Sequence, residues 1–199
     1  MTRDQAINLL HKNMLNQNLR RHCYAVEAVM RALAKYFSAK GGSALGRKEV
    51  EDLWGIAGLL HDADYEKTKD NDPKKNHTKD ILKWLKELEA ETDIYDAIAA
   101  HAWGYVDGAP PPKTKMQWAL YTCDELTGLI VAVALVKPEK KLSSVTVDSV
   151  MNKWNSKSFA AGVDRKQIEE CTPRLGIELR DFIQIALTAM QSISMDLGL

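Results

Sequence analysis

The sequence predicts an all-α fold, a compact multi-helix bundle, on three observations. Apolar residues recur at helical spacing almost from end to end, no convincing run alternates apolar and polar residues, and the breakers fall between the periodic stretches. With 199 residues and 45% hydrophobic content, the chain can bury one compact core, with or without a small extension.

The elements follow in order. Thr2-x-x-Gln5 reads as a capping box opening a first helix. A second helix runs from about Asn18 to Phe37, with Val26, Val29, Met30, Leu33 and Phe37 on its apolar face. Gly41 through Gly46 reads as a flexible loop. A third helix covers Lys48 to His61, with Leu53, Ile56, Ala57 and Leu60 inward. Asp70-Asn71-Asp72-Pro73 breaks the chain. A fourth helix spans Lys79 to Glu89, with Ile81, Leu82, Leu85 and Leu88 inward. Thr92 or Asp93 caps a short fifth helix that ends near His101. Gly104 through Pro112 is a loop, because its three consecutive prolines cannot sit inside a helix. The sixth helix runs from Lys115 to Val136 and stops before Pro138. Further helices are expected at 146–155, 164–171 and 176–196, the last amphipathic through Leu179, Phe182, Ile183, Ala186, Met190 and Ile193. This gives a helical domain over 1–136 and a helical C-terminal extension over 137–199 packed on it.

Composition narrows the function. Twenty-seven basic and 27 acidic residues give zero net charge, which argues against a general nucleic-acid binder or a basic membrane-surface protein. Cys23, Cys123 and Cys171 form neither a disulfide framework nor a paired metal motif, and reduced thiols in the cytoplasm fit best. Met1 to Gln5 carries charge early and has no apolar signal core. The longest apolar stretch, Leu126 to Val136, is too short to span a bilayer. The expectation is a cytoplasmic chain with no membrane partner; its oligomeric state is open.

Polar side chains on apolar faces carry the functional signal. His22 shares a helical face with Val26 and Val29, and Asp124 shares one with Leu120, Thr127 and Val131. A carboxylate buried there without a partner would cost roughly several kcal/mol in lost hydration. His101 follows Ile94 and Ile98 at helical spacing, His61-Asp62 ends a buried run, and His77 precedes Ile81 and Leu82. One inward histidine is ordinarily a hydrogen-bonded core residue. Four histidines and two aspartates together point to a divalent metal held between helices.

The order His22, His61-Asp62, Asp124 resembles the H…HD…D signature of the HD-domain superfamily of metal-dependent phosphohydrolases. The segment Gly58-Leu59-Leu60-His61-Asp62-Ala63-Asp64-Tyr65 is similar to the corresponding stretch of HDIG-type members, and Ala119 to Asp124 resembles the helix that supplies the last aspartate. The likeness spans about residues 18–136. It implies an all-α fold and a divalent ion (Mn, Fe, Zn, Co or Ni) bound by His22, His61, Asp62 and Asp124. Binuclear members use two further histidines, for which His77 and His101 stand in the right order, His101 being favoured for its place on a helical face. Asp62 is then the natural bridging carboxylate.

The resemblance implies hydrolysis of a phosphoester, in a nucleotide or a related small molecule, by water activated at the metal. Lys67 is the candidate to neutralise the phosphate, with Arg21 behind it, although the typical segment carries its lysine sooner after the HD pair. Asp64 or Glu66 is the candidate to orient water or protonate the leaving group. Trp103 and Tyr105 are candidates to line a nucleobase pocket, the other tryptophans being core. His11 is expected at the surface, and Cys23 and Cys123 as small packed residues. Two alternatives stay open: a di-iron oxygenase on the same fold, and a non-catalytic sensing or scaffold domain stabilised by metal.

Overall fold

The computed structural model describes residues 1–40, 47–156 and 158–199. The loop expected over 41–46 lies outside the described residues. All regular elements among the described residues are helical. The longer helices are α1 (Arg3–Asn13), α2 (Gln17–Ala39), α3 (Arg47–Leu60), α6 (Lys79–Glu87), α7 (Thr92–His101), α8 (Lys115–Leu135), α9 (Val147–Trp154) and α11 (Leu179–Ser192). Between them lie the short α4 (Tyr65–Thr68), α5 (Pro73–Asn76) and α10 (Arg165–Glu169), and α12 (Ser194–Leu197) ends the series.

Local chemistry explains the boundaries. Thr2 and Gln5 form the expected capping box on α1, and Thr114 with Gln117 forms a second on α8. Asn16 starts α2 by accepting from the Asn18 and Leu19 amides. At α7 neither Thr92 nor Asp93 is the cap: Glu91 holds that position without a side-chain bond to the helix, its carboxylate being taken by the N-terminal ammonium of Met1. Helix α6 stops at Glu87, so Leu88 swings outward and is 54% exposed rather than inward. The C-terminal helix begins three residues later than its periodicity suggests, because Gly176 adopts a left-handed conformation (φ 67°) after a π-turn at Cys171–Leu175.

One hydrophobic cluster runs from Ala6 to Leu197 and draws on both the first 136 residues and the last 63. Helix α8 packs against α2, α3, α7, α9, α10 and α11. This corrects one inference about α8. By length and composition it is apolar enough to cross a bilayer, yet two thirds of that apolar window (67%) is buried inside the fold. Its apolarity serves the core.

Helices α2 and α3 approach closely at Gly58. A Cβ there would stand 2.9 Å from the Val26 carbonyl oxygen and 3.0 Å from the Glu27 amide nitrogen. Backbone atoms cannot yield as a side chain can. Gly58→Ala is therefore expected to destabilise the fold by about 1–3 kcal/mol, read as a lower urea midpoint with an unchanged slope. An unchanged midpoint would show that the helices are free to separate.

Candidate metal centre

Six side chains converge from five helices. His22 comes from the second turn of α2, and Asp124 from the middle of α8. His61 and Asp62 follow the end of α3, His77 follows α5, and His101 is the last residue of α7. His22–His61–Asp62, His61–His101–Asp124 and Asp62–His77–His101 each offer ligand atoms within 4.8 Å of one another.

Asp62 stands between two histidine pairs. Its Oδ2 lies 3.6 Å from His61 Nε2 and 3.8 Å from His22 Nε2. Its Oδ1 lies 3.3 Å from His77 Nε2 and 3.6 Å from His101 Nε2. Asp124 Oδ1 completes the first group, at 2.9 Å from His22 and 3.4 Å from His61. His77 and His101 thus both face Asp62 Oδ1, although only His101 lies on a helical face and His77 follows the end of α5.

Each ring is aimed by its other nitrogen. Nδ1 of His61 donates to the Gly58 carbonyl at 2.8 Å, and Nδ1 of His101 to the Ile98 carbonyl at 2.6 Å. Nδ1 of His77 donates to Asp64 Oδ1 at 3.2 Å. Thr127 gives its hydroxyl proton to the Asp124 carbonyl and accepts from His22 Nδ1 at 3.3 Å. A carbonyl only accepts, so the proton sits on Nδ1 and the Nε2 lone pair faces inward. His22 and His61 meet Nε2 to Nε2 at 3.2 Å, and so do His77 and His101. Lone pairs held that close repel unless a cation lies between them. Imidazole and carboxylate donors with fixed tautomers fit Mn, Fe, Zn, Co or Ni ions.

Protons stand in for that cation in the metal-free chain. Complete burial pushes the His61 imidazole down, but the Asp62 and Asp124 carboxylates outweigh it and raise it to about 9. Burial likewise pushes the two carboxyls up, and His61 with its neighbours holds both below the usual carboxylate range. His101 moves the other way, lowered by burial. The linkage has a definite sign. A histidine raised to about 9 stabilises the metal-free fold fully below the ordinary value of 6.5, and that contribution is lost as pH rises through 9. A metal ion must displace the same proton. The gain in melting temperature between chelated and metal-loaded protein should therefore widen from pH 6.5 to 9. A gain that is constant or shrinks over that range would contradict the proton-for-metal exchange.

The remaining candidates take other places. Asp64 is fully buried and away from the opening, where it accepts from the His77 ring and from the Thr78, Asp80 and Ile81 amides. It aims His77 and caps α6 from outside that helix; it does not orient water. Glu66 accepts from the Leu15 and Asn16 amides and ties the turn before α2. Lys67 donates to Asn13 at 2.8 Å and lies over the Trp84 ring. It is not among the residues that line the cavity over the centre. Arg21 lies against Gly198. His11 is half-buried rather than at the surface, 2.6 Å from the Tyr24 hydroxyl. Cys23 and Cys123 are buried and free.

A cavity of about 570 Å³ opens over the centre. Trp103 and Tyr105 line it, as expected, with Tyr65 and Tyr121. Glu125, Gly128, Gly162, Val163, Asp164 and Gln167 also line it. Tyr121 and Gly128 were within reach of sequence reasoning, since they share the helical face of Asp124. Asp164 and Gln167 were not, because they come from the C-terminal part of the chain. Burial and the adjacent Asp124 push the Glu125 carboxyl up to about 7. A slightly larger cavity, about 620 Å³ between α1, α2 and α11, touches none of the six ligands. Glu27 there is already paired with Arg3 and Arg31.

A family model for the HD domain matches residues 19–157, and the chain belongs to that family. The family consists in general of metal-dependent phosphohydrolases. No curated protein and no solved structure gives a significant match.

Proposed function

We propose that this chain hydrolyses a phosphoester in a small molecule, a nucleotide or a related compound, with divalent ions held by His22, His61, Asp62, His77, His101 and Asp124. The observation that carries this reading is the position of Asp62 between two histidine pairs, every ring aimed inward, beneath a cavity of about 570 Å³. Bound there, divalent ions supply a nucleophile from water near neutral pH and withdraw charge from a phosphoryl oxygen. The chain's own contribution is placement. Gly58, Ile98, Asp64 and Thr127 fix the four imidazoles, and the core helices hold the two carboxylates half-buried. The cavity admits a small substrate, and three free cysteines suit a cytoplasmic setting.

The test is elemental analysis of the purified protein paired with a phosphoester screen, before and after chelation and with single metals restored. Activity that disappears with chelation and returns with manganese, cobalt or another divalent ion supports the reading. A metal-free protein whose rate is indifferent to added ions would overturn it. The same six nitrogen and oxygen donors, Asp62 at their centre, also suit two irons, so oxygen consumption by the iron-loaded protein is the observation that would favour an oxygenase instead.

A further inference from the structure

The part of the cavity lining that comes from α8 and the start of α10 has a chemistry of its own. Helix α10 docks on α8 through two contacts one helical turn apart: Gln167 Nε2 donates to the Tyr121 carbonyl at 2.6 Å, and the Asp164 amide donates to Glu125 Oε2 at 2.9 Å. Asp164 Oδ1 is used by the Lys166 amide. Three acceptor oxygens are left in this part of the lining: Glu125 Oε1, Asp164 Oδ2 and Gln167 Oε1. Among the described residues none of the three receives a hydrogen bond, and all three side chains line the cavity.

Aromatic rings line the same cavity. Trp103 and Tyr121 stand 5.6 Å apart between ring centroids, and Trp103 and Tyr105 are 38% and 43% exposed. Charge points the same way. Asp62, Asp124, Glu125 and Asp164 all line the cavity, and none of the described lining residues is Lys or Arg. Divalent ions held at the centre would offset Asp62 and Asp124, and the lining offers a phosphoryl group no cationic side chain. A phosphoryl dianion then leaves the site negative unless the substrate brings a positive charge.

We propose that the distal end of the substrate is a primary ammonium group: the chain acts on an amino-substituted phosphate ester, held by Glu125, Asp164 and Gln167 in the cavity that Trp103 and Tyr105 also line. An ammonium carries three donors and no acceptor, which matches three unused acceptors. The ring faces attract it further. This inference rests on the phosphoester reading above, since that reading places the phosphoryl end at the metal centre.

The test uses the full chain loaded with manganese. Phosphoethanolamine and 3-aminopropyl phosphate are compared with their hydroxyalkyl counterparts, with a nucleoside monophosphate alongside. The amine esters should exceed their hydroxyl counterparts in kcat/KM by about tenfold or more. Asp164→Asn keeps an oxygen to cap α10 but removes the charge, and should collapse that ratio toward one through KM. Phosphoester hydrolysis with no amine preference, or a preference untouched by Asp164→Asn, overturns the inference and leaves the phosphohydrolase reading intact. A metal-loaded protein that cleaves no phosphoester overturns both.

Discussion

Asp62→Asn is expected to empty both halves of the metal centre at once. Each carboxylate oxygen faces a different histidine pair, so loss of the charge weakens both groups. A coordinating carboxylate contributes more than the outer partners whose removal costs about 10–100-fold in affinity. Bound metal should fall below one ion per chain, and hydrolysis should drop by about 10³-fold or more, equivalent to about 4 kcal/mol of barrier. His77→Ala provides the contrast. It removes a ligand from the Asp62–His77–His101 group only, so the His22–His61–Asp62–Asp124 group should keep its ion. Elemental analysis of both variants, with circular dichroism to verify folding, decides the matter. If Asp62→Asn retained the same metal content as the parent, Asp62 would not be the shared ligand.

Asp64→Ala is expected to cost the most stability. The carboxylate is fully buried and accepts from three backbone amides and the His77 ring. Removing it strands those donors at about 1–3 kcal/mol each, partly relieved by entering water. A net loss of about 3–5 kcal/mol and a melting point lower by about 10 °C follow. Asp64→Asn separates the two roles. It keeps one acceptor oxygen for the start of α6 but no longer offers His77 a carboxylate. Its expected signature is a folded protein that holds the ion at His22, His61 and Asp124 and has lost the one at His77 and His101. A chain folded as stably as the parent after Asp64→Ala would show that Asp64 does not support α6.

Which residues were legible follows from the range of their interactions. The helices and their starts are local, and the Thr2–Gln5 box is readable within four residues. The six converging side chains were legible because each is polar on an apolar helical face or at the end of a buried run. Where the best partner is distant, the sequence is silent. Glu66 answers amides 50 and 51 residues away, and Lys67 an amide side chain 54 away. Beside an HD pair both looked like chemistry, yet both hold the first helices to the turn. Asp64 was legible as important but not as a cap, because the helix it caps begins fifteen residues later, at Lys79. Leu88 fits a periodic face that ends one residue too soon for it.

The segment before α10 adds a different kind of consequence. Arg165 donates to the carbonyls of Ser156, Phe159, Ala160 and Val163, and so folds the stretch that carries Gly162 and Val163 to the cavity rim. All four anchors are main-chain oxygens. They do not depend on the identity of the exposed side chains at Ser158 and Ala161. The exposed positions of this rim are therefore exchangeable: they can be varied while Arg165 preserves its course and the six converging side chains stay untouched. For anyone seeking to redirect the protein to new substrates, Ser158, Ala161 and Gly162 are the place to build a library.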